Sequence, residues 1–508
     1  MITPINVLQI GEGIWSVPIS YQEVLKWTQC GSDDLTNLVA EDRQFDLIIL
    51  EEALEDQTFA ILPLLASPYR VWIDRQIVSD LSIAGQLFCQ KMQARIEDFR
   101  AKDTLIEQIV HSYFPRPYGE KLKMNTIFFN EQLVGSKVYY GNNYINISGI
   151  QTKDYVQIAG WKQTIYKDPN RNLEFWLEYI GPAGLSLQLK VYEWDQYGHL
   201  LQEINLALSG RDPLIVESKR YQDGTYLTVN LWGQGQGDLC LGVLHWRHSL
   251  ENGYAFIPGG QRFVAKDRSE FFYYFSPGNL KPPLNVYFSG YRPQEGFEGY
   301  FMMKDLEHPF ILFSDPRVEG GAFYLGCSDY EQAILQVIQG QLNQLGFKAN
   351  DLILSGLSMG TFAALYYGCQ LQPHAIIIGK PLVHIDLIAR RTALERPNDF
   401  LTILDIVQRN QDFIADELDP DLDQKLFEKL DQAQLSQTIV AIAYMLQDDY
   451  DNQARNQLLA HLSKQGSHII TKALEGRHND DSPGIFEWFI SQYRRILAND
   501  FREEEADD

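Results

Sequence analysis

Short apolar runs recur along the chain, and what lies between them changes character twice. Over residues 1–118 the runs Ile5–Gly11, Phe45–Leu50 and Tyr69–Asp74 read as buried strands separated by polar helical stretches. From Ser79 to Tyr113 the pattern is a single long, mixed helical stretch. This alternation predicts a small parallel α/β layer of Rossmann-like type. Over residues 119–268 the helical period fades. Runs rich in Tyr, Val, Ile and Trp alternate with Gly, Asn and Asp turns at Lys137–Tyr140, Tyr144–Ser148, Tyr155–Gly160, Leu173–Tyr179, Leu185–Trp194, Tyr226–Trp232 and Leu239–Trp246. That spacing predicts an antiparallel β-sandwich.

Residues 269–500 return to strand–helix alternation. The predicted strands are Leu284–Ser289, Phe310–Ser314, Asp351–Ser355, Ala375–Ile378, Thr438–Met445 and His468–Leu474. Between the second and third, Ile334, Val337, Ile338, Leu342 and Leu345 recur at helical spacing, and Gly346 closes that helix. Ser482 and Pro483 read as N-cap and first residue of a last helix, Pro483–Leu497. A mostly helical, acidic stretch near 391–437 sits where hydrolases of this architecture carry an inserted cap. Residues 501–508 form an acidic, solvated tail.

A length of 508 residues fits two or three domains. Hydrophobic residues at 45% exclude wholesale disorder. The net charge of −24 argues against a broad nucleic-acid or anionic-membrane surface, both of which require Lys and Arg. Five cysteines without a Cys-x-x-Cys pair fit reduced thiols rather than a disulfide framework or a zinc site. No apolar run approaches a membrane span, and the N-terminus lacks the basic start of a signal peptide. These features predict a cytoplasmic protein, with attachment to the inner face of the plasma membrane only through a partner.

Gly356-Leu357-Ser358-Met359-Gly360 is the sharpest chemical signal. It follows an apolar strand and opens a helix, the context of a nucleophile elbow. A serine hydroxyl needs a base, and the base an orienting acid; in an α/β-hydrolase the chain order is Ser, acid, His. Of the histidines after Ser358, only His478 follows the C-terminal end of a strand in a loop. His374 and His468 lie at the wrong end of the sheet, His461 lies in a helix, and His384 is a weak rival. The acid belongs after Thr438–Met445, where Asp448, Asp449 and Asp451 stand. Asp448 has the best reach, with Asp449 as the alternative. The oxyanion hole needs the Met359 amide and a second from the loop after Leu284–Ser289, from Gly290 or Tyr291, with Tyr291 or Arg292 near the acyl or sugar group.

Other motifs carry less. Gly11-Glu12-Gly13 after the first strand suggests a dinucleotide turn but lacks the third glycine, so a plain glycine-assisted turn is the simpler reading. Trp161, Trp176, Trp194, Trp232 and Trp246 could stack on sugars, giving the sandwich a carbohydrate-binding character, although core packing is commoner. His245 and His248 fall on opposite faces of a strand, which disfavours a shared metal. The predicted fold class is α/β: a C-terminal α/β-hydrolase fold (269–500) after a Rossmann-like layer (1–118) and an antiparallel sandwich (119–268).

Three stretches together carry a family resemblance: Ser289-Gly290-Tyr291-Arg292 leading into Glu295-Gly296-Phe297-Glu298-Gly299-Tyr300, the elbow with Thr361-Phe362-Ala363-Ala364, and Val7-Leu8-Gln9-Ile10-Gly11. The chain resembles the second accessory secretion proteins of the bacterial accessory Sec system, over essentially its whole length. The resemblance implies O-acetylation of N-acetylglucosamine on serine-rich-repeat adhesin glycoproteins by a Ser358–Asp448–His478 site. It also implies a role in adhesin export with sister accessory proteins and the accessory SecA motor. An acetyl donor is required, and no metal or organic cofactor is expected. A carbohydrate esterase and a non-catalytic export scaffold are the alternatives.

Overall fold

The computed structural model describes residues 3–132, 135–218, 223–396, 400–412 and 422–502. Most of the predicted acidic tail lies outside the described residues. In the N-terminal layer five parallel strands run across the sheet in the order Leu25–Cys30, Ile5–Ile10, Leu47–Leu50, Val71–Asp74, Arg95–Glu97. The strands are apolar on successive residues because both faces are covered. Ile5 and Val7 pack toward Ile106 and Ile109 of the helix Lys102–Ser112, while Leu8 and Ile10 pack toward Leu35 and Phe88 on the other side. Two of these strands escape the sequence pattern. Leu25–Cys30 alternates weakly, and Arg95–Glu97 breaks the helical stretch expected from Ser79 to Tyr113. The short edge strand carries one apolar residue, too few to produce a period.

The middle region is an antiparallel sheet of ten strands. Two pairs of expected strands are each one continuous strand, Tyr144–Trp161 and Thr225–Ser249. Gly235 and Gly237, both at positive φ, let the longer strand bend where a side chain would collide; a Cβ on Gly235 would lie 2.0 Å from the Gly184 carbonyl. Both halves of that strand therefore pack on one core: Leu227, Val229 and Leu231 from one end, Leu239, Leu241 and Leu244 from the other. Trp161, Trp176 and Trp246 belong to the buried interior. Lys190 lies over the Trp232 ring, and the Trp194 indole bonds Thr228.

The C-terminal sheet has eight strands: β1 Gly260–Val264, β2 Glu270–Ser276, β3 Leu284–Phe288, β4 Phe310–Ser314, β5 Leu352–Leu357, β6 Ala375–Gly379, β7 Ile439–Met445 and β8 His468–Leu474. Their order is β1-β2-β4-β3-β5-β6-β7-β8, with β2 antiparallel to its neighbours and β3 to β8 parallel. This is the α/β-hydrolase arrangement. It corrects the expected boundary: β1 begins before residue 269, because Gly260–Val264 pairs with β2 rather than with the middle sheet. Helices α1 Ser328–Leu345, α2 Met359–Leu371, α3 Ile385–Glu395, α4 Leu401–Asp412, α5 Leu422–Gln432, α6 Ala454–Lys464 and α7 Ser482–Asp500 flank or extend the sheet. Gly346 ends α1 at φ 74°, as its position predicts. The N-cap of α7 is Asp481, not Ser482: its carboxylate accepts from the Gly484 amide at 3.1 Å. Among the described residues the insertion between β6 and β7 consists of the helices α3, α4 and α5; part of the helical stretch expected near 391–437 lies outside the described residues. Asp405 of α4 takes the Asn142 amide at 3.0 Å, which ties that insertion to the middle sheet.

Candidate active site

Ser358 stands at the tip of the turn from β5 into α2, with φ 51° and ψ −119°. Such strain is tolerated where the surroundings over-determine it, and they do so here. The Ser358 amide donates to the Gly379 carbonyl at 2.8 Å on the neighbouring strand. A Cβ on Gly356 would lie 2.3 Å from the Gly360 carbonyl, and one on Gly360 would lie 2.1 Å from the Phe288 carbonyl. The two glycines thus let helix, turn and β3 close on each other. Every residue of α2 except Gln370 is buried, so the helix that follows Ser358 is fixed in the core.

His478 follows β8 and lies 2% exposed. Its Nε2 is 2.9 Å from Ser358 Oγ, and its Nδ1 is 2.9 Å from Asp448 Oδ2. The second Asp448 oxygen accepts the amides of Tyr450 at 2.9 Å and Asp451 at 3.1 Å. Burial pushes the Asp448 carboxyl up, but the His478 ring and these amides outweigh it and hold the group below its ordinary range. The three residues expected from the sequence are brought together in a Ser–His–Asp line.

The neighbouring acids have separate work. Asp449 accepts the His478 amide at 3.0 Å and pairs with Arg396 at 2.5 Å. Asp451 pairs with His384, Oδ1 to Nδ1 at 2.8 Å, and accepts the amides of Val383 and His384. His374 pairs with Asp500 and His461 with Asp431, both away from the triad. His245 and His248 have different partners, Glu178 and Glu295 for the first and Asp168 for the second.

On the oxyanion side the structure separates the two candidates. The Gly290 amide is committed, donating to Glu298 Oε2 at 2.9 Å. No hydrogen bond occupies the Met359 or Tyr291 amide among the described residues. Arg292 turns back on its own loop, to the carbonyls of Gln294 and Phe297 at 3.0 Å each, and so braces the loop instead of facing an acyl group.

Sequence reasoning missed the covering of the imidazole. The Tyr450 ring stacks on His478 at 4.5 Å and 16°, Phe400 stacks on Tyr450 at 5.6 Å, and Tyr291 meets Phe400 edge-on at 5.6 Å. Lys380 was missed as well: its ammonium donates to the Asp480 carbonyl at 2.9 Å and to Ser482 Oγ at 3.0 Å, holding the loop that carries His478. Lys380 directly follows β6 with φ 55°, and no spacing rule marks it.

The Gly11-Glu12-Gly13 turn, read as a plain glycine-assisted turn, is filled from within. Glu51, just after Leu47–Leu50, accepts the Gly13 amide at 2.8 Å, the Gln9 amide nitrogen at 2.7 Å and the Trp15 indole at 2.8 Å. The position an anion takes at such a switch point holds a protein carboxylate. Among the described residues no helix is long and apolar enough to cross a membrane.

Residues 5–503 match the accessory Sec system GspB-transporter family. The chain is 38% identical to an accessory Sec system protein of Staphylococcus aureus over 467 residues, covering 91% of this chain and 89% of that one. It is 32% identical to an accessory Sec system protein of Streptococcus gordonii over 506 residues, covering 98% of each. A solved structure, the Glycosylation Associate Protein (Gap123) complex from Streptococcus agalactiae, contains a chain 33% identical that superposes with a TM-score of 0.87 over 98% of both chains.

Proposed function

The chain belongs to the accessory Sec system GspB-transporter family, and on that premise we propose that it is an O-acetyltransferase working within the adhesin export apparatus. Its acceptor is N-acetylglucosamine on serine-rich-repeat adhesin glycoproteins. Its partners are the sister accessory secretion proteins, the accessory SecA motor and the adhesin itself, at the inner face of the plasma membrane. The observation that carries the catalytic part is the unbroken line from Ser358 Oγ through His478 to Asp448, at 2.9 Å for each contact.

The chemistry follows from that line. His478 Nε2 takes the proton of Ser358 Oγ as the oxygen attacks the acetyl carbonyl carbon of the donor. The amides of Met359 and Tyr291 face the developing oxyanion. Asp448 keeps the proton on Nδ1 and stabilises the imidazolium. The imidazolium then protonates the departing group, leaving acetyl-Ser358. A sugar hydroxyl gives its proton to Nε2 and attacks the ester; the bond to Oγ breaks and serine regains its proton. The Tyr291–Phe400–Tyr450 rings give an apolar wall beside this centre, which favours a bound hydroxyl over water.

The test is mass spectrometry of glycopeptides from a co-expressed serine-rich-repeat adhesin, with wild type and with Ser358→Ala. The expected result is an acetyl increment on the sugar with wild type that vanishes in the variant. An unchanged glycan in both would overturn the transferase reading; acetate released faster than acceptor is loaded would favour an esterase.

A further inference from the structure

The stretch Ser289–Gly299 lies against the elbow at one end and against the middle sheet at the other. At the elbow end, an added Cβ on Gly290 would be 3.0 Å from the Leu357 carbonyl, and one on Gly360 would be 2.1 Å from the Phe288 carbonyl and 3.1 Å from that of Ser289. The loop is braced internally by Glu298 on the Gly290 amide and by Arg292, whose own amide donates to the Gly320 carbonyl at 3.0 Å. At the far end Glu295 crosses to the middle sheet. Its amide donates to the Gly119 carbonyl at 3.1 Å, in an isolated antiparallel bridge.

The Glu295 side chain is fully buried and held by two residues of the long strand Thr225–Ser249. His245 Nδ1 lies 2.5 Å from Oε1, and Arg247 Nε pairs with Oε2. Residues 245 and 247 share a strand face, so both reach the catalytic domain. His245 is itself clamped, with Nε2 3.1 Å from Glu178 on the strand Asn172–Ile180. Arg247 also pairs with Glu270 of β2, which takes Arg262 of β1 at 2.6 Å. Burial raises the Glu295 carboxyl, but Arg247 and His245 overcome it and hold the group down at about 2. A buried ionic cluster is a poor source of net stability, because desolvation consumes its Coulombic gain. Its geometry, by contrast, is strict: both oxygens of the Glu295 carboxylate have a partner, Oε1 in His245 and Oε2 in Arg247.

Resting on the acyl-transfer reading above, we infer that Glu295, clamped by His245 and Arg247, is a positioning residue for the oxyanion hole: the middle sheet sets where the Tyr291 amide stands relative to Ser358. The middle sheet is then part of the catalytic frame rather than an appended module. Since a misplacement of about 1 Å costs roughly 100-fold in rate, loss of the clamp is read in catalysis and not only in folding.

The test uses the full chain with Glu295→Gln, His245→Leu and His245→Asn. The asparagine amide occupies the Nδ1 position and can still reach Glu295. Binding of an aryl trifluoromethyl ketone is followed by fluorine NMR, at a temperature where thermal melts show each variant folded. The Ser358 hemiketal carries an oxyanion that must sit in the hole. Glu295→Gln and His245→Leu are expected to weaken the adduct about 100-fold, with His245→Asn recovering most of it, and kcat for p-nitrophenyl acetate should fall in parallel while KM changes little. Unchanged ketone affinity in the folded variants, with only a lowered Tm, would reduce the clamp to a structural contact and overturn the inference. Adduct formation needs no sugar acceptor, so a failure of acetyl transfer to the adhesin overturns the proposed function without touching this result.

Discussion

An Asp448→Asn variant keeps the shape of the candidate acid and inverts its hydrogen bonding. Asp448 Oδ1 is fixed by the amides of Tyr450 and Asp451, at 2.9 and 3.1 Å, and Oδ2 faces His478 Nδ1 at 2.9 Å. An asparagine must leave its oxygen on the two amides, because its NH2 cannot accept them. The NH2 then donates to Nδ1, and the imidazole proton is driven to Nε2, the atom 2.9 Å from Ser358 Oγ that has to take the serine proton. Asp449 cannot stand in, since its carboxylate is held by the His478 amide and Arg396. The expected loss is about 10⁴-fold in kcat, about 5 kcal/mol of transition-state stabilisation, with the fold intact. Steady-state hydrolysis of p-nitrophenyl acetate, alongside Asp449→Asn, measures it. An Asp448→Asn rate within tenfold of wild type, or an equal loss in both variants, would refute the assignment of the acid.

Further outcomes follow from the same contacts. Gly360→Ala places a Cβ against the Phe288 carbonyl at 2.1 Å and should cost about 3 kcal/mol or more, read as a sharply lowered Tm or insoluble protein. Tyr450→Phe keeps the ring on His478 and should retain activity, whereas Tyr450→Ala removes a stacked contact of about 0.5–1.5 kcal/mol and should lower kcat roughly 3- to 10-fold. Burial raises the Asp405 carboxyl to about 6, with Oδ2 unpartnered among the described residues. A carboxyl raised in the folded state loses stability as pH climbs from its unfolded value toward its folded one. Asp405→Asn should therefore stabilise the protein by about 1–3 kcal/mol at pH 7.5 and by almost nothing at pH 4, which denaturant melts at both pH values would show.

The candidate triad was legible because each of its residues sits at a strand end with a local signature. Ser358 has its flanking glycines, His478 its place after the last strand, and Asp448 its place after the preceding one. The strands β1 and β2 were not legible: no strand is read from the sequence between Trp246 and Leu284, so the boundary at 268 falls between two strands that pair with each other. That the Gly290 amide is already committed needed the structure too. Gly290 and Tyr291 are adjacent in sequence, and only the Glu298 carboxylate across the loop distinguishes them. The His245–Glu295 clamp joins residues fifty apart through the pairing of two domains, a distance at which no periodicity carries information. Tyr450 reads in the sequence as one residue of a polar loop; its stacking on His478, and that of Phe400 from the insertion on its other side, are tertiary contacts that no local pattern marks.

Glu51 fills the turn after the first strand of the N-terminal layer. In a parallel sheet of this order the crevice beyond the first and third strands is where the fold ordinarily meets a diffusible anion. Here the chain supplies that anion itself at synthesis, ringed by the Gly13 amide, Gln9 and Trp15. A diffusible anion at this turn would have to displace Glu51 from three donors and would meet its like charge, so the turn is built against the ligand that its topology would otherwise invite.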